Sequence, residues 1–324
     1  MRAGLLGLSM LRLVLALAMG LGVSAQAQDL RLYTLGSGDV SGSYYAAATA
    51  LCDATNRVER GHLRCSPEAT PGSIYNLSAL RNGQLDFALV QSDVQHMAMT
   101  ADGPFKTAPP FNDLRSVTSL YPEALTILAR PGARILSLKG LLGKRVDIGL
   151  PASGRQATAL RLFDALGYDR NDFMALLELS AGSGLDELCA GRIDAMVLIT
   201  GHPNAGVARA ISECDARLVT VSGPDIRAFL EANPDYVYAS IPRGLYGKKG
   251  RAMTFAVMAT LVTRADMDDD IVGALVRNTL DNLLVVGISA PVLDALSPNA
   301  MRSTGLSAPM HPAAQIAFDQ YNPQ

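Results

Sequence analysis

The chain has 324 residues, a hydrophobic fraction of 49% and a formal net charge of −2. The apolar content is enough for sizeable cores, and the near-neutral charge excludes the broad basic surface typical of nucleic-acid binding. Aromatic residues make up only 6% of the chain and tryptophan is absent, which argues against sugar binding on stacked rings.

The N-terminus has the features of a secretory signal. Arg2 and Arg12 supply positive charge, Leu13 to Val23 form an apolar core, and Ala25-Gln26-Ala27 matches a cleavage site. A permanent membrane anchor needs roughly 18 apolar residues, and this core is shorter. We expect cleavage after Ala27, which leaves about 297 residues, enough for two domains of ordinary size.

The predicted elements alternate between strands and helices. In the first half they are a strand at Leu30–Leu35, a Gly/Ser loop at Gly36–Ser43, a helix at Tyr44–Arg57, a strand at His62–Pro67, a helix opened by Thr70–Ser73, a strand at Phe87–Val90 and a helix at Val94–Met99. Strands connected through helices predict a parallel sheet.

The stretch from Thr70 to Asp93 predicts a ligand site. Thr70 or Ser73 can cap a helix, whose N-terminus offers unpaired N–H groups and about half a positive charge to an anion. The strand that follows is apolar without alternation, as in a sheet covered on both faces. Gln91, Ser92 and Asp93 come at its carboxyl end, where open α/β sheets bind ligands.

The same arrangement recurs in the second half. Its predicted elements are strands at Ser116–Leu120 and Leu125–Arg130 separated by Tyr121-Pro122-Glu123, a strand at Lys144–Gly149, a turn at Pro151–Gly154, a helix at Arg155–Leu166, a strand at Ile193–Ile199, a helix at Asn204–Ser212, a strand at Leu218–Val221, a long strand at Arg251–Thr263, and closing helices at Asp266–Gly287 and Pro291–Ala295.

This order predicts an α/β fold with two lobes, each a mostly parallel sheet flanked by helices. We assign 28–125 plus 251–324 to lobe one and 126–250 to lobe two. Hinge segments are expected near 121–130 and 251–263. Ligands often bind at such domain interfaces, so the cleft between the lobes is the expected site.

Four cysteines follow the signal, at Cys52, Cys65, Cys189 and Cys214. In an exported chain an even number favours two disulfides. Local pairing, Cys52 with Cys65 and Cys189 with Cys214, is the simplest of three possible connectivities. Zinc binding is the alternative, but no two cysteines have CxxC spacing and the histidines are scattered, so we expect no metal.

Catalytic and cofactor motifs are incomplete. Gly36–Gly42 has G-x-G-x-x-x-G spacing, one residue off the dinucleotide fingerprint, and Gly143-Lys144 lacks the Ser or Thr of a phosphate-binding loop. No G-x-S-x-G motif occurs. Glu123, Asp93 and Asp39 could form an acid/base pair across a cleft, but nothing in the sequence connects them. We expect solvated or capping carboxylates, no cofactor and no catalysis.

Arg155 directly follows Ser153 and Gly154 at the start of a predicted helix. A cation is slightly unfavourable there, and a guanidinium can clamp a carboxylate through two parallel hydrogen bonds. A ligand contact and an ordinary surface position are both open. Of the adjacent Tyr44 and Tyr45, one is expected in the core and the other beside the ligand.

Together these segments resemble the TAXI family of solute receptors for TRAP transporters. The segments that carry the resemblance are Gly38–Tyr45, Thr70–Asp93, Tyr121–Glu123, Gly143–Val146 and Gly201–Pro203, within a match from about Leu30 to Pro312. The resemblance implies a venus-flytrap fold of the second class, no catalysis, small carboxylate ligands and a membrane permease as partner, often a single fused chain. The two cysteine pairs also resemble those of some members.

The resemblance also implies the residues of the cleft. They are Ser41, Tyr44, Thr70, Ser73, Asn76, Gln91 and Ser92 in lobe one, and Ser153 and Gly154 in lobe two. The family usually continues this turn with Thr, whereas this chain has Arg155, which adds a candidate contact for a second carboxylate.

The sequence thus predicts a monomeric periplasmic receptor that delivers a small organic anion to a TRAP-type permease. The expected ligand is a carboxylate such as a dicarboxylate, glutamate or a 2-oxo acid. A sensing module for a signalling partner and an enzyme on the same fold are the alternatives.

Overall fold

The computed structural model describes residues 30–247 and 252–322. The predicted signal and its cleavage site lie outside these residues. Within them the chain forms ten strands: β1 (Arg31–Gly36), β2 (Leu63–Glu68), β3 (Phe87–Gln91), β4 (Leu114–Ala129), β5 (Arg145–Asp147), β6 (Ala175–Leu177), β7 (Ala195–Thr200), β8 (Arg217–Val219), β9 (Val237–Ile241) and β10 (Ala252–Arg264).

The same ranges contain eleven α-helices. They are α1 (Ser43–Val58), α2 (Ser73–Arg81), α3 (Ser92–Thr100), α4 (Gly154–Ala165), α5 (Ala181–Cys189), α6 (Ala205–Glu213), α7 (Pro224–Ala232), α8 (Asp269–Leu280), α9 (Leu283–Ser289), α10 (Pro298–Ser303) and α11 (Pro312–Gln320). No single helix among the described residues has the length and apolar composition to span a membrane; α8 and α9 reach that threshold only together, and they bend by 81° where they meet.

The strands form one mixed sheet in the order β2-β1-β3-β10-β4-β7-β5-β6, with β9 beside β10 and β8 beside β4. β1 is parallel to β2 and β3, and β5 is parallel to β6 and β7. The two long central strands, β4 and β10, are antiparallel to each other and to their other neighbours. They therefore join two parallel units into one molecule.

Four apolar clusters cover the two faces of each parallel unit. Lobe one has one cluster around Leu51, Phe87 and Leu275 and another around Leu77, Leu114 and Val262. Lobe two has one around Ile148, Phe163 and Phe229 and another around Leu188, Met196 and Ile211. The two-lobed α/β fold is confirmed, including the burial of β3 on both faces.

Three predicted elements differ from the structure. The strands expected on either side of Tyr121-Pro122-Glu123 are one strand, β4. Pro122 has no N–H to donate, but it is exposed and lies where the register of β10 shifts, between Met258 and Thr260, so the ladder tolerates it. The predicted helix over 266–287 is two helices, because Asn282 leaves the helical conformation between them.

Both disulfides follow the local pairing. Cys52 in α1 bonds to Cys65 in β2 with a Cα–Cα distance of 5.0 Å, and Cys189 at the end of α5 bonds to Cys214 after α6 at 5.1 Å. Each bridge ties a helix to its neighbour within one lobe. The simplest of the three connectivities is confirmed.

Candidate functional site

A cavity of about 110 Å³ lies between the lobes. This volume is well below the roughly 300–1,000 Å³ of sites for drug-sized ligands, so it suits a small molecule. Its wall consists of Gly38, Asp39, Ser41, Gly42, Ser43, Tyr44, Pro71, Gly72, Ser73, Gln91 and Glu123 from lobe one, and Leu150, Ser153, Gly154, Arg155, Leu179, Ser180, Ala181, Leu185, Leu198, Ile199, Thr200 and Asn204 from lobe two.

Five helices begin at this wall. The wall residues at their starts are Ser43 in α1, Ser73 in α2, Gly154 in α4, Ala181 in α5 and Asn204, the N-cap of α6. The first N–H groups of a helix have no acceptor within it, and the helix dipole makes its N-terminus partly positive. Five such ends around one small cavity favour a bound anion over a cation.

The lobe-one turn, Thr70–Ser73, is held by neutral hydrogen bonds. Gly72 has φ of 119°, which favours glycine, and its N–H donates to Thr70 Oγ1 at 3.2 Å. The Asn76 amide donates to the carbonyls of Ser37 and Leu89, at 2.7 and 2.8 Å. Thr70 and Asn76 therefore support the turn from behind and do not line the cavity.

The lobe-two turn, Ser153–Arg155, faces it. Ser153 caps α4, with Oγ accepting from Gln156 N at 3.1 Å. A Cβ on Gly154 would lie 2.7 Å from Ser73 Oγ and closer still to Gln91 Oε1. Because only glycine leaves room for these atoms, Gly154 allows the lobes to approach this closely.

Arg155 lines the cavity, but its charge is balanced inside lobe two. Its side chain is 10% exposed, and Nη2 donates to Asp147 Oδ2 at 2.5 Å. Nε donates to the carbonyl of Val197. A clamp with two parallel bonds to a ligand carboxylate would need nitrogens that are already engaged. Of the two alternatives left open by the sequence, the ordinary surface position is wrong, because Arg155 is buried beside the fully buried Asp147, which requires a cation.

Glu123 lies in the middle of β4 and is only 3% exposed. Its Oε2 accepts a hydrogen bond of 2.7 Å from the Tyr44 hydroxyl. Burial raises the pKa of Glu123 to about 8; the Tyr44 hydrogen bond lowers it and the charge of Asp93 raises it further. The expectation of a solvated or capping carboxylate is wrong here. The apolar run around Glu123 in the sequence was the available signal.

Asp93 is also buried, at the contact between the lobes. It accepts hydrogen bonds from Gln91 Nε2 (3.1 Å), Thr158 Oγ1 (2.9 Å) and the Tyr236 hydroxyl (2.8 Å). Burial raises its pKa, and these bonds oppose the shift. We refer to these four residues as the Asp93 cluster. Since Thr158 and Tyr236 belong to lobe two, the cluster holds the lobes together, and a solvated Asp93 was a wrong expectation. Asp39, in contrast, caps a turn through Ser41 N at 2.8 Å, as expected.

The predicted site residues fall into two groups. Seven line the cavity: Ser41, Tyr44, Ser73, Gln91, Ser153, Gly154 and Arg155. Thr70, Asn76 and Ser92 do not; Ser92 Oγ accepts from Met258 N at 3.0 Å and so fixes α3 to β10. The prediction omitted Ser43, Ser180 and Asn204, although Ser and Asn directly before or at helix starts are recognisable from sequence.

The structure resembles three solved proteins, each over 79–89% of this chain. MatC from Rhodopseudomonas palustris with bound malate has a TM-score of 0.56 at 15% identity, over 89% of this chain and 96% of that chain. A putative L-cystine ABC transporter from Listeria monocytogenes gives 0.51 at 13% identity, over 82% and 97%. The periplasmic binding protein BugD gives 0.53 at 12%, over 79% and 83%.

These likenesses establish the class of fold, which is the two-lobed α/β fold of periplasmic binding proteins. The sequence model of the NMT1-like family matches residues 35–319. The chain therefore belongs to the NMT1-like family.

Proposed function

We propose that this protein is a periplasmic receptor that captures a small organic anion between its lobes and delivers it to a TRAP-type secondary transporter. The observation that carries the anion assignment is the set of five helices that begin at one cavity wall. The malate bound to MatC supports a carboxylate, and the resemblance to the TAXI family supports the transporter type.

The ligand acts by contacting both lobes. A ligand favours a closed state only to the extent that it binds that state better. The lobe-one turn and the lobe-two turn face each other across the cavity, so a small acid can contact both. The seven predicted residues that line the cavity form the proposed ligand site, Arg155 through its place in the lobe-two turn and not through a carboxylate clamp. Residues 28–125 plus 251–324 and residues 126–250 are the proposed moving lobes, with β4 and β10 as the hinge.

We propose that the protein is exported, in keeping with the predicted N-terminal signal and the two disulfides, which persist in oxidising compartments. We propose a monomer that docks on a membrane permease, in keeping with the resemblance, and no chemical change in the ligand. Mass spectrometry of the ligand after incubation would show unaltered mass if the protein is a receptor and a new product if it is an enzyme.

Calorimetry tests the anion assignment. Succinate, L-malate, 2-oxoglutarate and L-glutamate are titrated into the mature protein, with succinamide as an uncharged control of similar shape. We expect at least one acid to bind and succinamide not to bind. Binding of succinamide, or of no acid, would contradict the proposal. Uptake into proteoliposomes containing the permease would then separate delivery from sensing, because a sensor does not stimulate uptake.

A charge placed at the wall gives a second test. Ser43→Asp adds a carboxylate in the first turn of α1, where the helix tolerates an acid, and it should weaken acid binding by at least about tenfold. Ser78→Asp adds the same charge to an exposed position of α2 and should leave binding unchanged. Equal effects of both substitutions would argue against an anion in the cavity.

A further inference from the structure

Glu123 is an acidic group in the wall of a cavity that otherwise favours anions. It receives one hydrogen bond, from Tyr44, and no cation pairs with it in the ranges that the structure describes. The only cationic side chain of the wall, Arg155, is already paired with Asp147. No cationic side chain of the cavity wall is therefore free to pair with an ionised Glu123.

The groups around Glu123 add no positive charge. Those that titrate or carry charge are Tyr44 on α1, Tyr121 on β4, Asp93 on α3, Asp39 in the loop before α1, and the Arg155–Asp147 pair on α4 and β5. Opposite Glu123 on β10 is Val257, which is apolar. If Glu123 were ionised, it and a bound anion would place two like charges in one small volume, and this repulsion disfavours the ionised form of Glu123.

We propose that Glu123 keeps its proton when the anion is bound and donates a hydrogen bond from its carboxyl group to that anion, so the protein binds the anion together with one proton. The proposal rests on the proposed function, since it concerns the same ligand. Oε2 is occupied as an acceptor by the Tyr44 hydroxyl, which leaves the other oxygen to carry the proton. A carboxylic acid kept neutral by an apolar site is a known form of hydrogen-bond donor.

The direction of the pH dependence follows from the pKa. In the free protein the pKa of Glu123 is about 8, and a bound anion raises it further. Below about pH 7 the carboxyl is already protonated and affinity is constant. Above pH 8 each binding event must take up a proton, so affinity falls as pH rises.

The experiment is calorimetry at pH 7 and pH 9, in two buffers of different ionisation enthalpy, with succinate, L-malate, 2-oxoglutarate and L-glutamate as probes. The dissociation constant of the tightest acid should rise about tenfold between pH 7 and pH 9. Proton uptake on binding should grow from about 0.1 to about 0.9 per site over the same interval.

Two variants assign the proton. Glu123→Gln keeps a donor but cannot titrate, so the ratio of dissociation constants at pH 9 and pH 7 should fall to about one. Asp93→Asn removes the neighbouring buried carboxyl and should retain a rise of about tenfold or more. If Glu123→Gln does not fold, Tyr44→Phe serves instead: it removes a bond that lowers the pKa of Glu123, so the midpoint of the pH dependence should move upward.

The outcomes separate the two proposals. Binding that is independent of pH, with no proton uptake, overturns the role of Glu123 and leaves the receptor function intact. Loss of the pH dependence in Asp93→Asn would also overturn the role of Glu123, because the proton would then belong to Asp93. The third such outcome is that only glutamate binds and that its binding releases a proton, because Glu123 would then be ionised and paired with the ammonium group of glutamate. If no acid binds at either pH, the proposed function fails and the role of Glu123 fails with it.

Discussion

The two turns that face each other across the cavity are built in different ways. In the lobe-one turn, Thr70–Ser73, the backbone is held by hydroxyl and amide groups. In the lobe-two turn, Ser153–Arg155, it is held by a serine cap and by the buried Arg155–Asp147 ion pair. The lobe-one turn is thus held by neutral hydrogen bonds, whereas the lobe-two turn depends on the Arg155 charge, which Asp147 already balances.

The difference shows where an anion finds positive potential. The guanidinium of Arg155 is the conspicuous cation of the sequence, but Asp147 cancels most of its charge. The partial charges of helix N-termini have no such partner, because backbone N–H groups have no counter-ion. Recognition is therefore expected to depend on backbone geometry in both lobes, with side chains setting the shape.

The largest expected effect is a loss of stability when the ion pair of the lobe-two turn is broken. Arg155→Met leaves Asp147 buried without a cation, so the free energy of unfolding should fall by about 3–5 kcal/mol, measured by urea denaturation. Arg155→Met with Asp147→Asn should recover much of that loss. Arg192→Met, which breaks an exposed pair with Glu187, is the control and should change stability little. A small effect of Arg155→Met would mean that water reaches Asp147.

The next effect concerns the contact between the turns. Gly154→Ala places a methyl group against Ser73 and Gln91, so it should hinder closure and weaken acid binding by about ten- to a hundredfold in calorimetry, from an overpacking cost of about 1–3 kcal/mol. Gly244→Ala, where a Cβ would meet open space, should bind like the wild type. Unchanged affinity in Gly154→Ala would show that the lobes stay further apart around the ligand.

The smallest expected effect is a loss of stability when a neutral hydrogen bond of the lobe-one turn is removed. Thr70→Val removes the acceptor for Gly72 N and should lower the free energy of unfolding by about 1 kcal/mol. Thr100→Val, at an exposed hydroxyl in α3, is the control. Acid affinity should change less than twofold, because Thr70 lies behind the turn. A large loss of affinity would place Thr70 in contact with the ligand and contradict its position behind the turn.

The sequence was sufficient for elements whose signal is local. The unbroken apolar run of β3 and the small polar residues before α2 and α4 led to the correct strand and helices. Helix α7 was missed, although Gly223 followed by Pro224 is a recognisable helix start. The local pattern separates two strands at residues 121–123, whereas the structure continues one strand through them. The register shift in β10, which the local sequence does not reveal, lets the ladder tolerate Pro122.

The partners of charged residues were not accessible from sequence. Arg155 pairs with Asp147, which lies eight positions earlier at the end of β5, and the residues around either one do not reveal this ion pair. Glu123 and Asp93 become buried because other elements close over them, α1 with Tyr44 in one case and lobe two with Tyr236 in the other. Spacing along the chain contains no information about such long-range contacts.

In the Asp93 cluster only Gln91 lines the ligand cavity. The other three members lie outside the cavity wall, and Thr158 and Tyr236 belong to the opposite lobe from Asp93. In the proposed closing motion, the bonds of Asp93 to Thr158 and Tyr236 form whatever molecule the cavity holds. These bonds therefore contribute the same free energy to closing with every ligand. The apparent affinity for each ligand is scaled by the same factor, the fraction of the free protein that is closed. Natural variation at Thr158 or Tyr236 would therefore shift all ligand affinities together, to suit a higher or lower ligand concentration, and would leave the order of ligand preference unchanged.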